Sequence, residues 1–402
     1  MYRSRIALVA AGVLIAGSLV ACGSSGGGSS TKGSASSGGS YRVGFDSDLS
    51  GPYALNGVGQ KDGFQAYFDY INAHGGINGH QVNVTYLDDA ADVTRGTANT
   101  TQLMTAKKVS VIGGYILSNV CGAAAVLAAK NKVPINCSAV SDDLLHPVQP
   151  YVYTARMSQS NEAAPESDLA AQLVTSSAPK VAIIIFASAA SVSLQKGLQS
   201  IAKNKGWNVV ANESIPLNST DVSSQVAKIV AAKPDVIMGS LFDPLAVSFV
   251  RGIRAKSLDA PFIDYDGATY KSGLLGLKDP NFYVLSSTTM DGTGDGAGLT
   301  QYRAAIKAGG FEASTPFVNT GYLQALSIGE GLKSCGYPCS GAQLQAALDK
   351  QSVDTGGFAS GTLGYTPDRH EGLQAVSLYV WDPATSGVKV ALKDAAGGNG
   401  SS

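Results

Sequence analysis

The segment Ile71-Asn72-Ala73-His74-Gly75-Gly76-Ile77-Asn78-Gly79 decides the fold class of this 402-residue chain. Apolar residues recur at helical spacing from Phe64 to Ile71, which predicts a helix running into the segment. Its three glycines can adopt the positive φ that ends a helix and turns the chain tightly. Val82 to Asp88 then has the apolar pattern of a strand. The segment is therefore predicted to be the turn between a helix and a strand.

Strands and helices alternate on both sides of this turn. The predicted strands are Tyr41–Asp46, Val82–Asp88, Val109–Gly114, Val133–Asn136, Val152–Arg156, Val181–Phe186, Val209–Pro216, Val236–Gly239, Phe262–Tyr265 and Phe282–Ser287. The alternation predicts a doubly wound α/β fold with parallel sheets covered by helices on both faces. Open sheets of this kind bind ligands at the carboxyl ends of their strands. The turns after the strands are therefore the places where we expect ligand contacts.

The N-terminus has the pattern of an export signal. Arg3 and Arg5 precede an uncharged run to Val20, which is shorter than the roughly 20 apolar residues that span a bilayer. The tetrapeptide Leu19-Val20-Ala21-Cys22 resembles the lipobox of bacterial lipoproteins, which implies a signal peptide over residues 1–21 and a lipid on Cys22. A simple secretory signal with an incidental cysteine is the alternative.

Residues 22–40 consist almost wholly of Gly, Ser and Ala, a composition that buries too little apolar surface to fold. We expect them to form a flexible tether. The protein is thus expected outside the cytoplasm, anchored to the cell membrane by lipid on Cys22.

Charge and composition argue against several partners. The formal net charge is −1, and no long basic run occurs, so nucleic acid is not expected as a partner. The 4 histidines are scattered along the chain, and we expect no metal site and no cofactor. A Gly-x-Ser-x-Gly match lies in the tether, where no catalytic elbow can form. We therefore expect a binding protein and not an enzyme.

Four cysteines follow Cys22, and pairing is the default expectation in an exported chain. Cys335 and Cys339 flank Gly336-Tyr337-Pro338, which favours a turn that brings their sulfur atoms together. Cys121 and Cys137 bracket a predicted helix and the strand after it. We expect these two local disulfides, of which Cys121–Cys137 rests on less.

Three motifs together resemble a known family. Ser50-Gly51-Pro52 follows the first strand, the segment 71–79 ends the first helix, and Asp88-Asp89-Ala90 follows the second strand. This order resembles the opening of the branched-chain amino-acid binding proteins, which are type I periplasmic binding proteins serving ABC importers. Element order agrees with that family from Tyr41 to about Leu392.

The resemblance implies two lobes joined by three crossings and closing on a ligand between them. By element order the crossings fall near Met157, Ser287 and Gly356. The first lobe would comprise residues 41–156 and 288–355. The second lobe would comprise residues 157–287 and 357–394.

The resemblance also implies where the ligand lies. The family's contacts to a ligand carboxylate, made after the third and fourth strands, fall on Ser118, Ser138, Ala139 and Ser141. Hydroxyls and backbone amides beside a helix start suit an anion. For Ser118 the alternative is that it only caps its helix.

The family's acidic contact to a ligand amine falls on Asp266, which is one methylene shorter than the usual glutamate. Phe242 matches a turn that bears a tyrosine, and could stack on a ligand. Asn56 stands near the place of a common tyrosine, whose space Tyr53 or Tyr115 could fill. The turn Phe186–Ser191 lacks the aspartate and tyrosine that amino-acid binders often carry there, so the identity of the ligand does not carry over.

These features predict a lipid-anchored, monomeric binding protein. It would capture an amino acid or a related small polar or amphipathic molecule and deliver it to an ABC permease and ATPase. The alternative is a ligand sensor that reports to a membrane receptor or kinase.

Overall fold

The computed structural model describes residues 39–217, 219–265, 270–290 and 293–398. Cys22, the expected signal peptide and nearly all of the expected tether lie outside these residues, as does Asp266. Among the described residues, no helix is long and apolar enough to cross a membrane. The strands are β1 Tyr41–Ser47, β2 Val82–Asp88, β3 Val111–Gly114, β4 Ile135–Cys137, β5 Val152–Tyr153, β6 Lys180–Phe186, β7 Asn208–Ile215, β8 Val236–Ser240, β9 Phe262–Asp264, β10 Phe282–Ser286, β11 Ser352–Asp354, β12 Thr362–Gly364, β13 Ala375–Asp382 and β14 Gly387–Ala396. The α-helices are α1 Ala54–Ala73, α2 Val93–Thr105, α3 Ser118–Asn131, α4 Asp142–Leu145, α5 Gln159–Leu173, α6 Ala189–Asn204, α7 Ser223–Ala232, α8 Leu245–Ala255, α9 Ala297–Gly309, α10 Val318–Cys335 and α11 Gly341–Leu348, and a π-helical turn covers Tyr270–Leu275.

Two sheets organise the chain. The first has the order β2-β1-β3-β4-β5, and every pair in it is parallel. The second has the order β14-β13-β10-β9-β8-β6-β7. We call the structure around the first sheet the first lobe and that around the second sheet the second lobe. The predicted doubly wound α/β fold with two lobes is confirmed.

Strand β6 shows why its sequence is apolar throughout. Val181, Ile183 and Ile185 pack into the core on one face of the sheet, whereas Ala182, Ile184 and Phe186 pack into the core on the other. Successive side chains of a strand point to opposite faces, so a strand covered by helices on both sides must be apolar at every position.

The far edge of the second sheet departs from the expected parallel pattern. Strand β13 pairs antiparallel with β10, and β14 pairs antiparallel with β13. Only a short turn separates β13 from β14, and a connection of that length can join only antiparallel strands.

The turn over residues 71–79 is built as its sequence predicts. Gly75, Gly76 and Gly79 have φ of 100°, 75° and 80°. A Cβ at Gly76 would lie 2.1 Å from the His80 carbonyl oxygen, so glycine is required there for space as well. The Asn72 side chain donates to the Val82 carbonyl at 2.9 Å and accepts from the Val82 N–H at 2.8 Å. The helix end is thereby tied to the first residue of the next strand.

Three crossings connect the lobes, and two lie close to the expected positions. The chain leaves the first sheet after Tyr153 and leaves the second sheet after Ser286. The crossing expected near Gly356 lies later, since Phe358, Leu363 and Leu373 pack into the core of the first lobe. The packing therefore assigns residues 358–373 to the first lobe, and the chain enters the second lobe at Ala375. The reason is the β11–β12 hairpin, which brings this segment back onto the first lobe.

The first two crossings are hydrogen-bonded to residues 360–372, the segment that leads into the third crossing. The Thr154 N–H donates to the His370 carbonyl at 3.0 Å, and the Gly372 N–H donates to the Thr154 carbonyl at 2.8 Å. The Ser360 N–H donates to the Ser287 carbonyl at 3.1 Å. The three connections thus form one hinge.

Both expected disulfides are present, Cys121–Cys137 and Cys335–Cys339. Both lie in the first lobe. The first pair joins α3 to β4, and the second closes the turn after α10.

Candidate functional site

A cavity of about 280 Å³ lies between the lobes. The first lobe contributes residues that follow β1, β3 and β4, and the second contributes residues that follow β6, β8 and β9. The cavity therefore lies at the carboxyl ends of both sheets, where doubly wound folds bind their ligands. The lining residues are Tyr53, Ile116, Leu117, Ser118, Asn119, Ser138, Ala139, Val140, Arg156, Gln159, Ser188, Ala189, Ala190, Leu217, Phe242, Tyr265 and Phe317.

The start of helix α3 forms a polar end of the cavity. Ser118 is the first residue of the helix, and its hydroxyl does not cap it, because Leu117 occupies the N-cap position. The N–H groups of Ser118 and Asn119 belong to the first turn of the helix, where backbone N–H groups have no carbonyl partner within the helix. A helix start with exposed N–H groups and a nearby hydroxyl is suited to an anionic group.

Ser138 and Ala139 follow β4 beside this helix start. The Ser138 N–H donates to the Gly114 carbonyl at 2.9 Å, and the Ala139 N–H donates to the Tyr115 carbonyl at 3.2 Å. Both backbone amides are therefore engaged within the protein. What this turn offers a ligand is the Ser138 hydroxyl.

Arg156 supplies the positive charge of the cavity. Its Nη1 lies 3.5 Å from the Ser138 carbonyl oxygen and 3.4 Å from the Tyr265 hydroxyl, and its Nη2 lies 3.7 Å from Glu162 Oε1. The guanidinium carbon lies 5.3 Å from the centre of the Tyr265 ring, within cation–π range. Among the described lining residues, Arg156 is the one with a formal charge.

Two further acids, Glu166 and Asp264, are buried in the second lobe. Burial raises the pKa of each carboxyl group well above its ordinary range, because a charged carboxylate is poorly solvated there. The acid that contacts Arg156 is Glu162, and the guanidinium therefore faces both this carboxylate and the cavity.

Aromatic rings form another wall of the cavity, beside Arg156. The Phe242 ring lies edge-on to Tyr265 at 5.9 Å and 6.1 Å from Phe317, measured between ring centres. Tyr53 faces Phe186 at 6.2 Å, and its hydroxyl donates to the Leu217 carbonyl at 3.2 Å. Tyr53 and Phe317 come from the first lobe, whereas Phe242 and Tyr265 come from the second. The aromatic wall therefore spans the cleft.

The second-lobe turn after β6 presents small side chains to the cavity, Ser188, Ala189 and Ala190. Its serines are bonded to one another: Ser191 Oγ lies 2.9 Å from Ser188 Oγ and 2.9 Å from Ser240 Oγ. These residues carry no formal charge, so this side of the cavity limits the shape of a ligand and does not attract its charge.

The cavity brings together five of the nine ligand residues expected from the sequence: Ser118, Ser138, Ala139, Phe242 and Tyr53. Tyr115, Ser141 and Asn56 are not among its lining residues. Tyr115 lies in the first-lobe core, where its hydroxyl is 2.7 Å from Thr100 Oγ1. Ser141 is fully buried at the N-cap of α4, and Asn56 is buried in α1.

Sequence reasoning missed Arg156, Gln159, Tyr265 and Phe317. Arg156 was missed because the predicted strand Val152–Arg156 included it. The strand ends at Tyr153, and Arg156 belongs to the turn after it. An arginine just after a strand is a signal that could have found it. Phe317 precedes helix α10 and has a φ of 65°, a backbone conformation that its sequence does not predict. Among the described residues, no group of three metal-ligating side chains occurs.

Residues 40–388 match the model of the protein family described as periplasmic binding protein. The chain belongs to this family. The Leu/Ile/Val-binding protein homolog 7 of Brucella abortus is 28% identical to this periplasmic binding protein over 210 residues. That alignment covers 50% of this chain and 52% of the relative, so the chain spans about half the length of that curated relative. Homolog 8 of the same organism is 25% identical over 342 residues, which cover 78% of this chain and 81% of the relative. The predicted resemblance to branched-chain amino-acid binding proteins is confirmed.

Solved structures show the same fold. An ABC transporter substrate-binding protein of Aeropyrum pernix has a TM-score of 0.79 at 21% identity, covering 89% of this chain and 96% of that chain. A solute-binding protein of R. palustris in complex with 4-hydroxybenzoate has a TM-score of 0.74 at 20% identity, and the alignment covers 90% of this chain and 97% of that chain. A third structure is that of LivJ, the branched-chain amino acid transporter substrate-binding protein of Streptococcus pneumoniae, in complex with isoleucine. It has a TM-score of 0.70 at 20% identity, and the alignment covers 87% of this chain and 99% of that chain. One fold thus carries ligands with aromatic and with aliphatic bodies.

Proposed function

We propose that this protein is a solute-binding protein that captures a small carboxylate with an aromatic or other flat apolar body and delivers it to an ABC importer. The observation that carries the proposal is the pairing, in one cavity, of Arg156 and two serine hydroxyls with a wall of four aromatic rings. The first set suits an anion and the second suits an apolar body.

The size of the cavity limits the ligand. About 280 Å³ lies just below the range of about 300–1,000 Å³ that is common for small-molecule sites. Such a cavity accommodates a molecule with a single ring or a short branched chain. A long acyl chain or a peptide exceeds it.

The solved relatives support this range of ligands. The R. palustris protein is in complex with 4-hydroxybenzoate, and LivJ of Streptococcus pneumoniae is in complex with isoleucine. An amino acid also carries an ammonium group, and the described lining residues include no acid that would pair with it. Asp266 was expected to take that role from the sequence and lies outside the described residues. The described part of the cavity therefore favours an acid without an amine.

Titration of the purified protein tests the proposal. We expect isothermal titration calorimetry to detect binding of benzoate and 4-hydroxybenzoate, and weaker binding of isoleucine. Each ligand should be recovered unchanged after incubation, because the protein is proposed to bind and not to react. Isoleucine binding tighter than both aromatic acids would overturn the ligand class, and the absence of binding by all three would overturn the proposal.

We further propose that lipid on Cys22 anchors the protein at the outer side of the cytoplasmic membrane, beside its permease and ATPase. The proposal rests on Leu19-Val20-Ala21-Cys22 and the Gly/Ser-rich tether after it. Labelling of cells with a radioactive or alkyne fatty acid should tag the wild-type protein and not the Cys22→Ala variant. Equal labelling of both forms would contradict the anchor at this residue.

A further inference from the structure

A buried amide lies behind the Ser138 hydroxyl. Gln60 is completely buried in helix α1, outside the residues that line the cavity. Its Nε2 lies 2.6 Å from Ser138 Oγ, 3.0 Å from the Gly114 carbonyl oxygen and 3.2 Å from Gln324 Oε1. Its Oε1 accepts from the Ser47 hydroxyl at 2.8 Å.

The surroundings of Gln60 fix which end of its amide faces Ser138. A backbone carbonyl only accepts hydrogen bonds, so the atom beside the Gly114 carbonyl must be the nitrogen. The Ser47 hydroxyl donates to the oxygen at the opposite end. Reversal of the amide would place Oε1 against the Gly114 oxygen, where two acceptors would repel. Gln60 therefore presents N–H to Ser138.

Gln324 stabilises this arrangement from helix α10. Its Oε1 accepts from the Gly114 N–H at 2.9 Å, and its Nε2 lies 3.2 Å from the Gly114 carbonyl oxygen. Both ends of the Gln324 amide are thus fixed by the backbone of strand β3. Its oxygen is held toward the Gln60 nitrogen, which keeps that nitrogen in place as a donor.

The direction of these hydrogen bonds decides whether the Ser138 hydroxyl donates or accepts. A hydroxyl has one proton and accepts through its lone pairs. Because Gln60 Nε2 donates to Ser138 Oγ, the serine proton is left to be donated elsewhere. Among the described residues, Ser138 Oγ has no hydrogen bond other than that from Gln60. Since Ser138 lines the cavity, its proton is available to a group inside the cavity.

We infer that Gln60 is a positioning residue that keeps the Ser138 hydroxyl a donor and so makes the cavity select a carboxylate over the corresponding carboxamide. The inference rests on the proposed function. A carboxylate offers an acceptor oxygen to each of two donors at this end of the cavity, the Ser138 hydroxyl and the Arg156 guanidinium, whereas a carboxamide offers one acceptor oxygen and its NH₂ group must face the other donor. Gln60 acts without touching the ligand.

Benzoate and benzamide test the inference, because they share ring and shape and differ in the group that meets Ser138. We expect wild-type protein to prefer benzoate in calorimetric titrations, and Gln60→Met to reduce the ratio of the two affinities by about tenfold, as loss of one hydrogen bond to a charged group predicts. Gln65→Met is the matched control: it removes an amide from the same helix at a position whose partners are Lys61 and Asp69. It should leave the ratio unchanged. A merely structural role for Gln60 would weaken both ligands by the same factor.

A double-mutant cycle shows whether Gln60 works through Ser138. In the Ser138→Ala background, Gln60→Met should produce no further change in the benzoate-to-benzamide ratio, because the hydroxyl it orients is gone. If Gln60→Met does not fold, Gln60→Leu removes the same amide with a more compact apolar side chain, and the same loss of preference is expected.

The outcomes separate this inference from the proposed function. Wild-type protein that binds neither benzoate nor benzamide would remove the proposed ligand class, and the inference with it. Equal wild-type affinity for the two ligands would overturn the inference alone. So would a benzoate preference that survives Gln60→Met, or one that Gln60→Met lowers equally in the Ser138→Ala background.

Discussion

Each lobe brings two aromatic rings to the cavity, but the lobes differ in the rest of their lining: the first adds the start of helix α3 and the hydroxyls of Ser118 and Ser138, whereas the second adds the small side chains of Ser188, Ala189 and Ala190. Fixed polar groups orient one end of a ligand, and small or apolar groups define the room for its body. Changes in the second lobe can therefore alter which ligand fits while the first lobe keeps the polar anchor. The lobes also differ in bracing, because both disulfides lie in the first.

The largest expected effect comes from removing the charge at the polar end. Arg156→Ala should weaken benzoate binding by about 2–5 kcal/mol, the range for losing one partner of a buried charge pair. Calorimetry measures the change. Arg156→Lys keeps the charge without the planar fork, so it should recover only part of the affinity.

Because Arg156 also packs against Tyr265 and Phe317, its loss could reduce stability as well. Thermal denaturation of the unliganded variants separates the two effects. If folded Arg156→Ala bound benzoate as tightly as the wild type, the polar end would not be where the carboxylate lies.

The second prediction concerns the bracing of the first lobe. Replacing Cys121 and Cys137 with alanine opens a link between residues 16 apart in sequence, and loop-closure entropy predicts a loss of about 3 kcal/mol in the free energy of unfolding. The chain has 2 tryptophans, Trp207 and Trp381, and both belong to the second lobe. Tryptophan fluorescence in urea therefore reports the second lobe, while far-UV circular dichroism reports both.

We expect the circular-dichroism transition of this variant to begin at lower urea than the fluorescence transition. The Cys335→Ala/Cys339→Ala variant is the control, since its loop spans 4 residues and should cost less. Transitions that move together by both probes would mean that the lobes unfold as one unit, and the difference in bracing would then have no local consequence.

The third prediction concerns the second-lobe wall. Phe242→Ala removes the ring that faces both Tyr265 and Phe317, and we expect it to weaken benzoate binding by about 1–2 kcal/mol through lost area and ring contacts. Phe242→Leu should restore part of this loss, because it returns apolar area without the ring. Equal affinities of all three proteins would show that the ligand body lies elsewhere in the cavity.

Local features of the sequence predicted much of this fold. The turn at residues 71–79 needs glycine for its φ angles and for the close approach at Gly76, so its sequence pattern is nearly sufficient. Strand β6 is apolar at each position after Lys180 because both faces are covered. Both predictions use only residues that are close together in sequence, and the local structure of the turn and of the strand follows from those residues.

The site was predicted less completely, because its residues are assembled from distant segments. Tyr115 was expected at the aromatic wall, yet with a φ of 52° it contacts Thr100 in the core. Arg156 was read as part of a strand, and its burial depends on Tyr265 and Glu162 from the second lobe. The role inferred for Gln60 depends on the Gly114 carbonyl, which is 54 residues away.

The smallest expected effect tests the hinge that joins the two lobes. His146 Nε2 lies 2.5 Å from Glu371 Oε1. The same carboxylate accepts from the Ser158 N–H at 2.7 Å and from Asn161 Nδ2 at 3.1 Å. The hydrogen bond to Glu371 raises the pKa of His146 above its ordinary 6.5, against the effect of burial, and Asp142 adds to the rise. Burial alone would raise the pKa of Glu371, but its hydrogen bonds hold it below the ordinary 4.5.

The signs of these shifts define a pH window. The raised pKa of His146 stabilises the folded state fully below pH 6.5, and this contribution is lost as pH rises through the folded-state pKa. The lowered pKa of Glu371 stabilises the folded state above pH 4.5, and its contribution is lost as pH falls through the folded-state pKa. Urea unfolding should therefore give a lower free energy at pH 8 than at pH 6, with a smaller decrease in His146→Gln and an unchanged one in His74→Gln. Because the His146 side chain is 46% exposed, solvent screens the pair and the effect should be modest. Identical decreases in wild type and His146→Gln would show that this pair does not link the stability of the hinge to pH.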